Sequence, residues 1–418
     1  MRVLLLSINY WPEQTGIGAF TAYRAEYLAS KGHDVTVCTT FPYYPEWKVP
    51  EGWRGKLRMD EERNGVRIVR SWAYIPNPVT SLKRILFEAS FVAFSCLRAL
   101  GQKKPDVLLV VSPPLGLAAS AILLSKLWRI PYVFDVEDLQ PDAAADLEML
   151  PGWALRILYR VEKAAYRHAA LVSTITEGMK ARIVSKGVSA DRVVLFEPRA
   201  DESLLTVNAD EGLRFRTKFG LDGKFLVTHS GNLGVKQGLD VILDAAERSR
   251  EDQSLEYLIV GDGAARQRIA SRVAEGGLEN VRLLPLLDAE DFRGLLAASD
   301  VCLVTQKKTV SDIVFPSKTV SYLAAGCAVV ASVNAASEVA SVIVESGAGT
   351  VVAPEDGTGL LAAIRALRQN GIVQCRERAR TYAHRRWSKE IVLGWLENCL
   401  RSIVESGKPP VAGQNSRN

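Results

Sequence analysis

Histidine is scarce in this chain, with four in 418 residues: His33, His168, His229 and His384. No two of them stand at a metal-ligand spacing, so a zinc site is not expected. Cysteine is equally thin. Cys38, Cys96, Cys302, Cys327, Cys375 and Cys399 lie far apart, form no C-x-x-C pair and sit mostly among apolar neighbours. This excludes a disulfide framework and points to reduced thiols in a cytoplasmic compartment. The opening Val3-Leu4-Leu5-Leu6 meets Asn9, Pro12 and Glu13 too soon for a signal peptide, and it reads as a strand. An excess of one charge is also missing: the net formal charge is +5. Residues 1–190 carry +6 and residues 191–418 carry −1. So mild a surplus argues against nucleic acid and suits an anionic membrane surface or a phosphorylated ligand.

What is present is an ordinary globular composition, 48% hydrophobic and 24% charged, in a chain longer than the roughly 250 to 300 residues one core supports. Two domains are expected. Short runs rich in Val, Ile and Leu (Val3 to Ile8, Asp34 to Thr39, Val66 to Ser71, Val107 to Val111, Tyr132 to Asp135, Leu171 to Ser173) alternate with helix-like stretches, the mark of buried parallel strands. The pattern restarts with Phe225 to His229, Leu255 to Val260, Val281 to Leu284, Val301 to Val304, Ala328 to Ala331 and Thr350 to Val352. We expect two doubly wound α/β domains, 1–190 and 191–384, then a helix over 385–406 packing back and a disordered tail over 407–418. Two such sheets bind ligands at their carboxyl ends, so chemistry is expected in a cleft between the domains.

Two stretches hold most of the chemistry: Ser230-Gly231-Asn232-Leu233-Gly234-Val235-Lys236-Gln237-Gly238, and Phe315-Pro316-Ser317-Lys318-Thr319 followed by Leu323-Ala324-Ala325-Gly326. Each brings backbone N–H groups, a helix start and a lysine to one place, as a diphosphate pocket requires. Lys318 and Lys236 read as its cations, or as exposed surface lysines. Gly261-Asp262-Gly263 is a turn on the same rim, able to face a nucleoside. His229 ends a strand beside this loop, whereas His33, between a helix and a strand, reads as structural. Gly16-Ile17-Gly18 either brings backbone close to a ligand or forms a tight turn. Asp135-Val136-Glu137-Asp138 and Asp142 follow a strand; such carboxylates bind sugar hydroxyls, serve as bases, or cap helices. Of these, Asp135 and Asp138 are the candidates. The stretch from Lys83 to Lys104 is strongly apolar but interrupted by Glu88 and too short to span a bilayer. It is a core helix or an interfacial anchor whose contacts would be Phe87, Phe91 and Phe94.

In this order and spacing the motifs resemble those of family 4 glycosyltransferases of the GT-B fold, over nearly the whole chain. The resemblance rests on Gly16-Ile17-Gly18, Gly32-His33-Asp34-Val35-Thr36-Val37, Ser230-Gly231-Asn232-Leu233 with Lys236-Gln237-Gly238, Val260-Gly261-Asp262-Gly263, and Pro316-Ser317-Lys318 with Ala325-Gly326-Cys327-Ala328-Val329-Val330-Ala331. It is strongest toward transferases of colanic acid and O-antigen assembly. It implies a nucleotide-diphosphate sugar held by the second domain, an acceptor held by the first, transfer with retention, and neither cofactor nor metal. Lysines and helix N-termini would then stabilise the leaving diphosphate. The catalytic candidates are Lys318, Asp135, Asp138 and Lys236; of these the resemblance carries over Lys318 and the Gly231 to Gly238 loop that holds Lys236. Gly16, Gly18, Ser230, Gly231, Asn232, Gln237, Gly261, Asp262, Gly263, Ser317, Thr319 and Ser321 go with Lys318 to donor binding, Gly16 approaching from the opposite domain.

The chain departs from the family pattern at four positions. Asn232 and Gln237 stand where members commonly have Arg and Lys, and Ile313 and Ser321 where they have glutamates. Ser321 is left for the ribose, and Asp312 becomes a possible substitute near the sugar. The expected function is a bacterial, membrane-peripheral transferase, monomeric or weakly dimeric, acting on a polyprenyl-diphosphate-linked saccharide. A silent nucleotide-sugar-binding partner and a nucleotide-sugar epimerase are the alternatives.

Overall fold

The computed structural model describes residues 1–13, 16–146, 150–309 and 315–410. Within them the chain forms two α/β units. Unit 1 comprises Met1–Glu197 with the segment from Val392 on, and unit 2 comprises Pro198–Ile391. The boundary lies after Glu197 rather than at 190, because Val193–Leu195 is a strand that pairs with Leu171–Thr174 in unit 1.

Unit 1 holds strands β1 (Arg2–Leu6), β2 (Asp34–Thr40), β3 (Arg58–Arg63), β4 (Val66–Ser71), β5 (Val107–Ser112), β6 (Tyr132–Val136), β7 (Leu171–Thr174) and β8 (Val193–Leu195). Their order is β3-β4-β2-β1-β5-β6-β7-β8. All pairs are parallel except β3 with β4. Helices α1 (Ile17–Ser30), α2 (Ser81–Leu100), α3 (Leu117–Trp128), α4 (Gln140–Asp146), α5 (Gly152–His168) and α6 (Glu177–Ser185) cover the sheet. Strands β1 and β5 are buried along almost their whole length, as continuous Val/Leu runs in a doubly covered sheet must be. The sequence reading missed β3, because Arg-Met-Asp-Glu-Glu-Arg is an edge strand with charged side chains and no apolar run.

In unit 2 the strands are β9 (Phe225–Ser230), β10 (Leu255–Val260), β11 (Val281–Leu284), β12 (Val301–Thr305), β13 (Ala328–Ser332) and β14 (Gly349–Val352). They are all parallel, in the order β11-β10-β9-β12-β13-β14. The helices are α7 (Glu202–Leu205), α8 (Ala209–Phe219), α9 (Asp240–Arg248), α10 (Arg266–Glu275), α11 (Ala289–Ala298), α12 (Ser317–Ala324), α13 (Glu338–Ser346), α14 (Gly357–Gln369) and α15 (Ile372–Trp387). Strand order reverses between β1 and β5 in unit 1 and between β9 and β12 in unit 2. Such switch points open a crevice at the carboxyl ends of the strands.

The single helix expected over 385–406 is two helices. Ser388 takes extended backbone (φ −64°, ψ 152°) and ends α15, and α16 (Lys389–Ser406) follows. Trp387 is 2% exposed in the unit 2 core, with Tyr382 and Phe315 rings at 5.5 and 6.3 Å. Leu396, Cys399 and Leu400 of α16 instead join the core of unit 1. His33, structural as expected, ties that helix down, its Nε2 3.0 Å from Glu397. All six cysteines are unpaired. The tail from 411 lies outside the described residues.

Helix α2 corrects one expectation. Phe87 and Phe91 are buried, at 2% and 0% exposure, so they belong to the core and only Phe94 faces outward. Trp387→Ala removes an aromatic anchor that cannot be refilled by its neighbours. The expected cost is about 3 to 5 kcal/mol of stability, read as a lower denaturant midpoint for unit 2 in urea melts followed by circular dichroism.

Candidate functional site

The unit 2 switch point brings together the loops after β9, β10 and β12 and the start of α12. Gly231 N donates to Val260 O at 2.9 Å, Leu233 N to Asp262 O at 2.8 Å and Ala265 N to Leu233 O at 2.8 Å. This lacing leaves no room for side chains at its crossing. A Cβ on Gly261 would lie 1.9 Å from the Gly231 carbonyl oxygen, and one on Gly263 would lie 2.6 Å from Asn232 Oδ1. Gly231, Gly261 and Gly263 all have positive φ, which L side chains rarely adopt. Asp262 is exposed, and its Oδ1 accepts from Gly263 N at 2.7 Å.

Tyr322, fully buried in α12, fixes the same loop from below. Its hydroxyl accepts from Ser230 N at 2.8 Å and donates to Ser230 O at 3.2 Å. One turn earlier, Lys318 reaches the end of β9, with Nζ 3.0 Å from His229 Nε2. Nζ also lies 3.6 Å from the place a Cβ on Gly231 would take. Burial alone lowers the Lys318 amine to about 7. Burial and the neighbouring Lys318 hold His229 well below its usual range, so it stays neutral. Pro316 stands at the N-cap of α12, and no side chain caps the helix. Thr319 N donates to Pro316 O at 3.0 Å, which leaves the N–H groups of Ser317 and Lys318, without an acceptor among the described residues, open to an anion. Three buried oxygens on this rim, Gln237 Oε1, Thr305 Oγ1 and Thr319 Oγ1, have no partner among the described residues, a condition that buried polar atoms seldom tolerate. Lys307 N donates to Lys236 O at 2.9 Å, which joins the backbone of the loop after β12 to that of the β9 loop. Lys236 itself is exposed.

Unit 1 has a cavity of about 350 Å³ at its own switch point. Asn9 and Gly16 from the β1 loop and Pro113 from the β5 loop meet Tyr44, Trp47 and Arg84 there. Tyr43 packs edge-on against Trp47 at 5.2 Å and Phe87 at 4.8 Å, making a rigid aromatic wall. Glu88 also lines the cavity, its carboxyl pushed up by burial against the opposing pull of Arg84. Asp138, outward-facing, is shifted the same way for the same reasons. Gly18 is a packing glycine, since a Cβ there would lie 2.9 Å from Glu13 Cβ. Glu13 in turn accepts from Tyr43 N and Tyr44 N at 3.0 and 2.9 Å. Gly16 has φ 61° and open space around its Cα.

Residues 15–198 match a glycosyl transferase 4-like domain, and residues 224–370 match the glycosyl transferases group 1 domain. Over 413 residues the chain is 33% identical to WcaI of Escherichia coli K12, named for colanic acid biosynthesis glycosyl transfer, covering 96% of this chain and all of that one. The chain belongs to the family 4-like glycosyltransferases. Its fold matches HepE of Anabaena, solved with UDP, at a TM-score of 0.71 and 18% identity over 96% of this chain and all of HepE. Sucrose-phosphate synthase of Thermosynechococcus elongatus also gives 0.71, at 17% identity over 96% of this chain and 98% of that one. Both show the GT-B fold.

On this glycosyltransferase, the structure gathers Ser230, Gly231, Asn232, Gln237, Gly261, Asp262, Gly263, Ser317, Lys318, Thr319 and Ser321 around one sheet end. Gly16 and Gly18 belong to unit 1. Ile313 and Asp312 lie outside the described residues. Asp135 is corrected. It is fully buried, its two oxygens taken by Arg24 Nη1 at 2.5 Å and Ser173 Oγ at 2.8 Å. Arg24 Nη1 also donates to Glu137 Oε1 at 2.6 Å, while burial and the Asp135 charge push Glu137 up to about 7 against Arg24. This is an internal ion-pair core closed to solvent. The reading missed Tyr322, an apolar-looking residue whose only signal is its place one turn after Lys318. It also missed Arg84, Glu88 and Trp47, which come from segments without motifs.

Two outcomes follow. Asp135→Asn leaves Arg24 half-paired in the interior, so it is expected to cost about 3 kcal/mol or more of stability. Turnover per folded molecule should be near normal; a variant with an unchanged thermal midpoint and no activity would return Asp135 to catalysis. The second concerns Lys318. A bound diphosphate favours the ammonium, so affinity for a nucleotide-diphosphate sugar should be flat below pH about 7 and fall by up to about tenfold per pH unit above it. Calorimetry in buffers of different ionisation enthalpy should then show proton uptake on binding at pH 8, and an affinity constant from pH 6 to 9 would overturn the assignment.

Proposed function

We propose that this glycosyltransferase moves a sugar, with retention, from a nucleotide-diphosphate donor to a saccharide carried on polyprenyl diphosphate, in bacterial surface polysaccharide assembly. The observation that carries the donor side is the Lys318 ammonium beside the uncapped start of α12, above the backbone of Gly231. When the anomeric C–O bond breaks, charge develops on the diphosphate. A cation and open helix N–H groups already aimed there stabilise it without reorganising. The new bond forms to an acceptor oxygen, whose proton leaves with the diphosphate or to solvent. The 33% identity to WcaI supports surface polysaccharide as the setting, and HepE, solved with UDP-glucose, supports a nucleotide sugar as donor.

The acceptor side rests on the cavity of unit 1. Aromatic faces at Tyr44 and Trp47 suit the apolar face of a sugar ring, and Arg84, Glu88 and Asn9 supply polar partners at its edge. Asn232 and Gln237 contribute neutral hydrogen bonds where the family carries cations, which leaves Lys318 as the main charge on the diphosphate.

The deciding experiment offers UDP-, GDP- and dTDP-sugars to the purified protein and measures donor consumption. Lys318→Ala should weaken donor binding by roughly 10- to 100-fold, the worth of a charge-assisted hydrogen bond, with a further loss in kcat. Unchanged affinity and rate would remove the diphosphate assignment. Tight nucleotide binding with no turnover on any donor would instead favour the silent nucleotide-sugar-binding partner.

A further inference from the structure

An amine held away from water is ordinarily paired with a carboxylate, because an unpaired charge there is costly. Lys318 has no such partner. Among the described residues its Nζ has one hydrogen-bond partner, Nε2 of His229 at 3.0 Å. The ionisable groups on the surrounding elements are engaged or turned away. Tyr322 of α12 is bonded to Ser230, and Glu256 of β10 pairs with Arg282. Cys302 of β12 and Cys327 before β13 are buried free thiols. Helices α15 and α7 pack against α12; there Arg376 and Arg380 are bonded to backbone carbonyls, and Glu377 and Glu202 are exposed. Asp262 on the rim is exposed and accepts from Gly263 N.

His229 is the next-to-last residue of β9 and is fully buried. Its strand lies between β10 and β12 in the middle of the unit 2 sheet, where its partner in register on β10 is Ile259. An apolar side chain would fill such a place without the cost of burying ring nitrogens. A histidine kept for structure has both nitrogens engaged, as His33 does, with Nδ1 3.3 Å from the Met1 amine and Nε2 3.0 Å from Glu397. On His229, Nδ1 forms no hydrogen bond among the described residues. The Leu303 backbone on β12 favours a proton on the ring, while burial and Lys318 keep the ring neutral. An ammonium only donates, so Nε2 is the bare nitrogen and Nδ1 carries the hydrogen.

We infer that His229 is a positioning residue for the transfer reaction: its neutral imidazole holds Lys318 at the start of α12 without neutralising it, leaving the charge of the ammonium to the donor diphosphate. The inference rests on the diphosphate reading given above. A carboxylate in this place would hold the amine but also pair with it, and an incoming phosphate would have to compete. An apolar side chain would leave the charge and lose the position, whereas electrostatic stabilisation requires both. With one N–H of the ammonium on the imidazole, two remain for diphosphate oxygens.

The test titrates the full chain with UDP, GDP and dTDP by calorimetry and uses whichever binds. His229→Leu should weaken binding by about 3- to 10-fold, the worth of one hydrogen bond. His229→Glu should bind at least about tenfold more weakly than wild type at pH 6. Its affinity should then stay flat to pH 9, because an ammonium paired with a carboxylate no longer titrates near 7, and proton uptake at pH 8 should vanish. His229→Gln, whose amide oxygen can reach the place of Nε2, should keep wild-type affinity within about threefold and keep the fall above pH about 7. In a Lys318→Ala background none of the three should weaken binding further, since His229 acts through the lysine. A measurement on the unaltered chain does not depend on variants folding. With four histidines in the chain, nitrogen-15 imidazole spectra should show one ring, absent from His229→Gln, that stays neutral with its hydrogen on Nδ1 down to about pH 5. A His229 ring that titrates near its ordinary value, wild-type affinity and pH profile in both His229→Leu and His229→Glu, or equal losses with and without Lys318 would overturn the inference. If none of the three nucleotides binds, or Lys318→Ala binds as tightly as wild type, the diphosphate reading fails and this inference with it. If Lys318→Ala weakens binding while the His229 variants match wild type, the role of His229 alone fails.

Discussion

Backbone approaches backbone at Gly231 and Gly261, and the architecture of the unit 2 rim depends on that contact. Any side chain at Gly261 would collide with the Gly231 carbonyl. Because none is there, the β9 and β10 loops can lie one on the other, and the hydrogen bonds from Gly231, Leu233 and Ala265 lock them. The Tyr322 hydroxyl then holds both polar groups of the Ser230 backbone. Lys318, one helical turn away, is delivered to a place set by three separate elements. A rigid rim matters because electrostatic stabilisation is effective only when donors and charges are already in position.

Both units obey the same rule of parallel sheets: the crevice opens where strand order reverses. In unit 2 that point is furnished with glycines, a lysine and an open helix start, which suit an anion. In unit 1 it is furnished with Tyr44, Trp47, Arg84 and Glu88, which suit a sugar. One fold thus presents two chemistries, because the strands fix where ligands bind and the loops fix what they are.

Charge is used in three ways in this molecule. Arg24, with Asp135 and Glu137, is a buried cluster that holds β6 to α1 and to Phe196. Lys318 is a partly buried cation with no carboxylate among its hydrogen-bond partners in the described residues, which leaves it able to take an anionic one. Arg156, Arg160, Lys163 and Arg167 of α5 are exposed and form no ion pair with a described residue. These differ in burial and partner, and neither can be read from the letters Asp, Lys or Arg. Asp135 was therefore misread: an aspartate at a strand end has the same sequence signature whether it faces a ligand or an arginine from a helix 111 residues away in the chain.

The sequence by itself determined the two parallel sheets, since runs such as Val-Leu-Leu-Val-Val in β5 have no polar side to show water and must be covered on both faces. It also determined the glycine loops and the place of the lysine at the start of α12, which follow from local backbone geometry. Edge strand β3 escaped it because charged residues pair through their backbone as well as apolar ones do. The break at Ser388 escaped it because Trp387 and Leu396 share one helical period but belong to different cores. Tertiary structure alone decided the partner of Asp135, the grip of Tyr322 on Ser230, the unit 1 cavity and the outward turn of the α2 leucines. Each of these depends on contact between segments distant in the chain, and local periodicity carries no information about which distant surface a side chain will meet.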